Sequence, residues 1–523
     1  MKSCKGNTSA GQTRFARSAA CAPFAARMAQ TPFARKAGTF ALSACLAFSL
    51  AAFAGCSSNA DGSESASTSE SSQTTSSVPT KDSLTITQTI ENSADGEHAI
   101  TADGEEASYA NTAVTKTGDS NSGDEADFYG DNAAIFATNG ATLDLNEMLV
   151  ETAGKHANAV FSYGEGTTVN ISNSVIETTG DCSGGLMTTG GGTMNATNLS
   201  ISTSGNSSAA IRSDRGGGTV TVNGGAYKTT GTGSPVIYST ADITVSDATL
   251  ESTASQGVVV EGKNSVTLNN VDLTADNNTK NSDKSSYYQA VMIYQSMSGD
   301  AATGKASFAM DGGSITNANG DVFFVNNTVA EIDLTGANIV NNGNGAFLRA
   351  EAAGWGSDGS NGGQVTLNAS AQTINGNMVV DSVSNLNLYL ADASTFTGAI
   401  NSDGAAGEVY VELSGGSKWV LTEDSYITSL TCDANSIDLN GHTLYINGVA
   451  YTSGTSSTGS AIEVVATSGS GNGVGGMGGN KPDGEAPDGE GGGAGGAGGM
   501  GAGGDKPDSK PDAAPGGEGG GKQ

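Results

Sequence analysis

Short segments with alternating apolar residues recur at a nearly constant interval between about residues 83 and 450, and this period constrains the fold most. One apolar marker per unit gives steps of 22 to 26 residues: Ile135, Val160, Leu186, Ile211, Ile237 and Val259. An alternating pair such as Leu143/Leu145 follows each marker, and then a third apolar position, such as Leu149 or the weaker Ala226. Alternation of period two is typical of strands with one buried face. Each unit of about 25 residues therefore predicts three strands.

Strands spaced this closely leave no room for crossover helices, so they pair with their copies in neighbouring units if the chain winds as a coil. The predicted fold is all-β, a parallel β-helix solenoid of about 11–12 coils stacked about 4.8 Å apart. Asn, Asp, Gly and Ser end most segments, and Asn and Asp tolerate the left-handed backbone of tight corners. An array of β-sandwiches is the alternative, but a unit of about 25 residues is too small to close a sandwich.

The stretches 416–422 (GSKWVLT) and 438–444 (DLNGHTL) follow the last repeats. With the repeats, they resemble the terminal coils of right-handed parallel β-helix proteins of the pectin-lyase-like group. The chain is similar in particular to surface lipoproteins and adhesin-like proteins of gut bacteria. This resemblance implies right-handed coils and a surface role, and it implies no particular activity.

The N-terminal region has the charge pattern of an export signal. Residues 1–55 hold seven Lys/Arg and no acidic residue, and they end in a charge-free run. The sequence Phe53-Ala54-Gly55-Cys56 resembles a lipobox, which implies a lipidated Cys56 as the mature N-terminus; Met28 is a plausible true start. A transmembrane helix is the alternative, but the run is short and rich in Ala and Ser. We therefore expect a lipid anchor in the bacterial cell membrane and exposure outside the cytoplasm.

Composition divides the rest of the chain. Residues 56–82 form a Ser/Thr-rich linker that is too polar to fold alone. Because a solenoid exposes its core and strand edges at both ends, it needs caps. We predict an N-terminal cap at 83–130, the β-helix at 131–400, C-terminal capping coils at 401–452 and a Gly/Pro/Asp-rich disordered tail at 453–523.

Charge and cysteines limit the partners. Without the signal, 16 Lys/Arg remain against 54 Asp/Glu, a net charge of −38. Such a surface repels phosphate, which argues against nucleic acid and leaves cations, neutral glycans and basic proteins as partners of a monomer. Of six cysteines, Cys182 and Cys432 stay in the folded part. They lie many coils apart, so we expect two thiols and no disulfide.

Three insertions, at 276–288, 296–305 and 350–363, interrupt the repeat. The last two leave the coil after a first strand, two coils apart, and so lie about 10 Å from each other at one corner. Long loops on a rigid scaffold concentrate binding residues. The candidate ligand-binding residues that border them are Tyr287, Tyr288, Tyr294, Arg349, Glu351 and Trp355. They suit a glycan or a surface protein; the alternative is neutral loop growth, with the aromatics packing on the loop.

A charged segment lies at the corresponding corner of an earlier coil, where Arg212, Asp214 and Arg215 precede a Gly run. Two arginines around a carboxylate could bind an acidic sugar. With Arg349 and Glu351 they could serve a polysaccharide lyase or glycoside hydrolase that acts on an acidic polysaccharide, with calcium as the candidate cofactor. The alternative is a charged turn held by a local ion pair.

Catalytic and metal motifs are otherwise missing from the sequence. The three histidines fall in the caps or the first complete coil, and no metal-type Cys/His spacing occurs. We expect no catalytic residues, no metal site and no cofactor, although a polar turn with Asp276, Asn277, Asn278 and Asp283 could hold calcium. The expected function is adhesin-like binding of glycans or cell-surface molecules. A polysaccharide-degrading enzyme and a structural surface spacer are the alternatives.

Overall fold

The computed structural model describes residues 77–280, 282–404 and 407–464. The export signal, Cys56, most of the linker and the tail after residue 464 lie outside the described residues. The described part is a parallel β-helix whose coils stack as three parallel sheets. It contains a 3-10 turn, Lys81–Ser83, and one short α-helix, Gly123–Tyr129. Within these ranges, no helix has the length and hydropathy to cross a bilayer.

Sheet 1 contains the first strand of each coil, eleven in all among the described residues. Its strands are Ile100–Asp103, Ile135–Thr138, Val160–Tyr163, Leu186–Thr189, Ile211–Ser213, Ile237–Ser239, Val258–Glu261, Gln289–Tyr294, Asp321–Asn326, Leu348–Ala350 and Met378–Val380.

Sheet 2 contains the second strands: Glu106–Ala110, Thr142–Asn146, Thr168–Ser172, Gly192–Thr203, Gly218–Thr229, Asp242–Ser246, Ser265–Asn269, Lys305–Asp311, Thr328–Thr335, Gly363–Ser370, Asn385–Ala391, Glu408–Leu413 and Ser429–Cys432. Sheet 3 contains the third strands: Gln88–Asn92, Thr112–Lys116, Leu149–Thr152, Val175–Thr178, Thr249–Ser252, Asp272–Ala275, Ser314–Asn317 and Asn338–Asn341. The two 12-residue strands of sheet 2 also run through sheet 3 and join the two sheets.

The last coils add two smaller sheets. One stacks Thr373–Asn375, Thr395–Thr397, Lys418–Val420 and Ile437–Asp438. The other pairs Ser425–Ile427 with Leu444–Ile446, which then pairs in antiparallel fashion with Val449–Ala450. Trp419 is fully buried in these coils and stacks on Phe396 with ring centroids 5.4 Å apart.

The register confirms the repeat and corrects three of its markers. The inward residue is Val258 rather than Val259, Val150 rather than Leu149, and Tyr227 rather than Ala226. In Val258–Glu261 all four residues are buried, so the sequence does not alternate and does not show which residues point inward. Tyr227 is buried, and its hydroxyl donates to the Gly224 carbonyl. The inward position that the sequence assigned to Ala226 is therefore occupied by the larger Tyr227.

Regular coils begin earlier than predicted, and the chain stays packed on the solenoid beyond the predicted C-terminal limit. Within 83–130, expected to be an irregular cap, Thr112–Lys116 already pairs on both sides with neighbouring strands. Residues 453–464, assigned from composition to a disordered tail, lie on the final coils instead. Their backbone forms hydrogen bonds with polar side chains of those coils; for example, Ile462 N donates to Asn387 Oδ1 at 2.8 Å. As expected, Cys182 and Cys432 are buried and form no disulfide.

Candidate functional site

The outer face of sheet 1 is covered, although the outer face of a solenoid sheet ordinarily meets water. The helix Gly123–Tyr129 ends at Gly130, where an added Cβ would lie 2.4 Å from the Phe136 ring. Beneath it, Ala133, Phe161 and Met187 form one apolar cluster. The insertions cover a second cluster, which contains Ala209, Tyr238, Val259, Met292, Tyr294, Phe324 and Trp355. The insertions therefore build a second core outside the coils.

Of the four predicted aromatic residues, Tyr294 and Trp355 belong to this second core and Tyr287 packs against it. Tyr294 and Trp355 are only 3% and 7% exposed, and their rings meet edge to face at 5.1 Å. Tyr287 packs against Phe324, and Tyr288 lies under Lys280, whose Nζ is 4.8 Å from the ring centre. Burial leaves little ring surface of Tyr294 and Trp355 open to a sugar, whereas Tyr287 and Tyr288 remain partly exposed.

Arg349 and Glu351 lie at the edge of that core and bind each other. Arg349 Nε donates to Asp321 Oδ2 at 2.7 Å and Nη1 to Glu351 Oε2 at 3.1 Å. The guanidinium also lies 3.8 Å from the Tyr287 ring centre, and the Tyr287 hydroxyl donates to Glu351 at 3.3 Å. Both charges are thus engaged within the protein.

The Arg212 group forms a separate cluster. Arg212 is buried and donates to Asp214 Oδ2 at 2.7 Å, with Asp127 Oδ2 at 3.5 Å from the same Nη2. Burial outweighs the Arg212 charge and raises the pKa of Asp214 to about 6. Arg215 pairs with Asp300 at 2.7 Å and lies 3.9 Å above the Phe128 ring.

The structure does not bring the two arginine groups together. Strand register places Arg349 five coils beyond Arg212, through Tyr238, Val259, Met292 and Phe324. Five steps correspond to about 24 Å. The residues that the sequence analysis grouped as a lyase or hydrolase site therefore form two separate ion-pair clusters.

The polar turn considered for calcium uses two of its amides in other contacts. Asn277 is buried and donates its Nδ2 to the Gln289 carbonyl at 3.1 Å. Asn278 donates to the Thr253 carbonyl at 3.2 Å. Both amides therefore join the turn to neighbouring coils.

Sequence reasoning missed a cluster of Asp127, His156 and Cys182, whose donor atoms all lie within 4.8 Å of one another. His156 Nδ1 is 3.2 Å from Asp127 Oδ1. Burial alone would raise the pKa of Asp127, but Arg212 and His156 hold it below its ordinary value, whereas burial raises the pKa of the Cys182 thiol. His156 and Cys182 are 26 residues apart in sequence, which equals one coil of the repeat. The repeat period could therefore have predicted that these two side chains are neighbours.

Glu261 is a buried carboxyl group between the insertions and sheet 1. The hydroxyls of Tyr238 and Tyr294 both donate to its Oε2, the latter at 3.0 Å. Burial raises the pKa of Glu261 to about 7, although these hydrogen bonds act in the opposite direction. The protonated form of this carboxyl group is therefore favoured up to a higher pH than that of an exposed glutamate.

The outer face of sheet 2 contains an open trough that sequence reasoning also missed. It crosses four coils, has a volume of about 300 Å³, and is lined by Ser108, Tyr109, Ala110, Asp144, Leu145, Asn146, Asn170, Ile171, Ser172, Asn195 and Thr197. One wall is a hydrogen-bonded ladder in which Asn195 Nδ2 donates to Asn170 Oδ1 at 2.9 Å and Asn170 Nδ2 to Asp144 Oδ1 at 2.7 Å. An amide carries two N–H donors, so the ladder uses one from each Asn.

No protein-family model matches the chain, and comparisons with characterised proteins and with solved structures gave no match. The class is therefore defined by the fold itself, a parallel β-helix with one covered and one open outer face.

Proposed function

We propose that this protein is a lipid-anchored bacterial surface protein whose β-helix binds a polar glycan along the sheet 2 trough. The carrying observation is the trough itself, in which amide, hydroxyl and carboxylate groups recur once per coil along the axis. A linear glycan presents hydroxyl groups at a regular repeat, so a periodic row of donors and acceptors suits it.

Charge favours a neutral glycan over an acidic one. The chain has a net charge of −31, and Asp144 places a carboxylate on the trough wall. Like charges across an interface oppose association, whereas hydroxyl groups can both donate to a carboxylate and accept from an amide. The neighbouring clusters on sheet 1 have their arginines engaged with Asp and Glu, so they offer an acidic sugar little free positive charge.

Binding of the full chain to a panel of immobilised neutral polysaccharides tests the trough. The double variant Asn170→Ala/Asn195→Ala removes two hydrogen-bonding side chains, each contributing about 0.5–1.5 kcal/mol. The expected result is an affinity loss of about tenfold or more. The matched control, Thr244→Ala/Thr267→Ala, changes the same outward column beyond the trough and should bind like the wild type.

Equal binding by the wild type and the trough variant would rule out this site. If the wild type binds none of the polysaccharides, the spacer role is favoured instead.

The proposed anchor has its own test. Cells that express the chain are fed a labelled fatty acid, and we expect label on the wild-type protein in the membrane fraction. Cys56→Ser should lose both label and membrane association, whereas Cys45→Ser, within the proposed signal, should keep them. Lipid label that persists on Cys56→Ser would contradict the anchor.

A further inference from the structure

We propose that Asp127, His156 and Cys182 form a binding site for a divalent transition-metal ion of the zinc class. Their donor atoms lie within 4.8 Å of one another and come from the helix and from the corners of two consecutive coils. This site shares no residue with the sheet 2 trough, so it stands or falls independently of the proposed glycan binding.

The donor set is the one that zinc selects, namely a thiolate sulfur, an imidazole nitrogen and a carboxylate oxygen. Tetrahedral bonds of about 2.0–2.3 Å place donor atoms about 3.3–3.8 Å apart. His156 Nδ1 and Asp127 Oδ1, 3.2 Å apart, already have nearly this separation. All separations in the set are within 4.8 Å, so closure requires a shift of at most about 1 Å.

The scaffold holds two of the donors at fixed, strained positions. His156 and Cys182 have φ values of 57° and 56°, in the left-handed region that such side chains rarely adopt. Their backbone N–H groups are bonded to the next coil, to Asp181 O at 2.9 Å and Asn206 O at 2.8 Å. The same corner in the following coil holds Ser207, also left-handed. The left-handed angle is therefore a property of this corner of the coils, and it presents the His156 and Cys182 side chains from equivalent positions.

Charge around the cluster also suits a dication. A divalent ion displaces the thiol proton when it binds, and the protein groups of the occupied site would then be Asp127, Cys182 and Asp214 as anions and Arg212 as a cation, a net charge of −2. Arg212, 3.5 Å from Asp127 Oδ2, orients that carboxylate as hydrogen-bonded partners of metal ligands do. The Asp127 side chain is 16% exposed and gives the site an opening at the helix surface.

Titration of the metal-free full chain with Co²⁺, followed by competition with Zn²⁺, tests the proposal. We expect a sulfur-to-cobalt charge-transfer band in the near ultraviolet that saturates at one ion per chain and disappears when Zn²⁺ is added. Cys182→Ser should abolish the band. Cys432→Ser, which changes the buried thiol of the last coils, should retain it and serves as the matched control.

Two further variants keep the test decisive if Cys182→Ser fails to fold, as judged by circular dichroism. Asp127→Asn changes a helix residue, and His156→Ala removes the imidazole; each should weaken Zn²⁺ binding at least tenfold. Zn²⁺ should also raise the melting temperature of the wild type, because it binds the folded state. Absence of the charge-transfer band, or Zn²⁺ affinity unchanged in Asp127→Asn and His156→Ala, overturns the proposal.

Discussion

The outer faces of sheets 1 and 2 are built on the same coils and have opposite characters. On three consecutive strands, sheet 1 presents Tyr238, Val259 and Met292 outward, and all are buried under the insertions. The corresponding outward residues of sheet 2 are Thr244, Thr267 and Ala309, which no insertion covers. The insertions thus cover an outward column of large apolar and aromatic side chains, whereas the uncovered column consists of two threonines and an alanine.

Under the proposed function, the covered face serves stability and the open face serves recognition. On the covered face, aromatic rings and arginines are used in internal contacts, as Trp355 and Arg349 are. On the open face, short polar side chains bond along the axis while keeping further donors and acceptors for a ligand. Under the proposed function, the ligand surface lies away from the insertions, whereas long loops often carry it in other proteins.

The largest expected effect comes from opening the covered face. Trp355→Ala removes a nearly buried ring that packs on Tyr294, which should cost about 3–5 kcal/mol in the free energy of unfolding. Thr244→Ala on the open face should change it by about 0.5 kcal/mol or less. Urea unfolding, followed by far-ultraviolet circular dichroism, measures the free energy of unfolding of both variants. Similar midpoints for the two variants would show that the second core adds no stability.

The sequence predicted the coils well and the covered face poorly, and one physical cause explains both. Alternation identifies an inward face only when the outward face is polar, as at Leu143 and Leu145 in sheet 2. In Val258–Glu261 both faces are buried, so the pattern of apolar residues could not show which face points inward. The cluster of His156 and Cys182 was hidden for a different reason, because neighbours one coil apart in this fold are 26 residues apart in sequence.

A pH-dependent effect should follow from Glu261, which joins the insertions to sheet 1. Its pKa is about 7 in the folded state against an ordinary 4.5, so between these values the folded protein holds a proton that the unfolded chain has lost. The free energy of unfolding should therefore fall as pH rises from 4.5 to 7, by at most about 3 kcal/mol. Glu261→Gln removes this dependence.

Melting temperatures from pH 4.5 to 8 check the Glu261 prediction. Relative to the wild type, Glu261→Gln should gain stability as pH rises. The control Glu251→Gln changes a glutamate that pairs with Lys228 on the exposed side of sheet 3, and its curve should run parallel to that of the wild type. Parallel curves for Glu261→Gln as well would mean that the buried carboxyl group does not couple the covering loops to pH.

The smallest expected effect lies at the corner that borders the open face. Asn173 has a φ of 49°, donates its Nδ2 to Asn146 Oδ1 at 3.1 Å and accepts from Asn198 Nδ2 at 3.1 Å. Asn173→Ala loses both bonds and keeps the left-handed strain, at a cost of about 1–2 kcal/mol. Asn173→Gly loses the same bonds without the strain and should cost about half as much. Equal losses in urea midpoint would show that the side-chain hydrogen bonds, rather than the backbone angle, determine the stability of this corner. The polar ladder of the open face would then continue into the turn beside it.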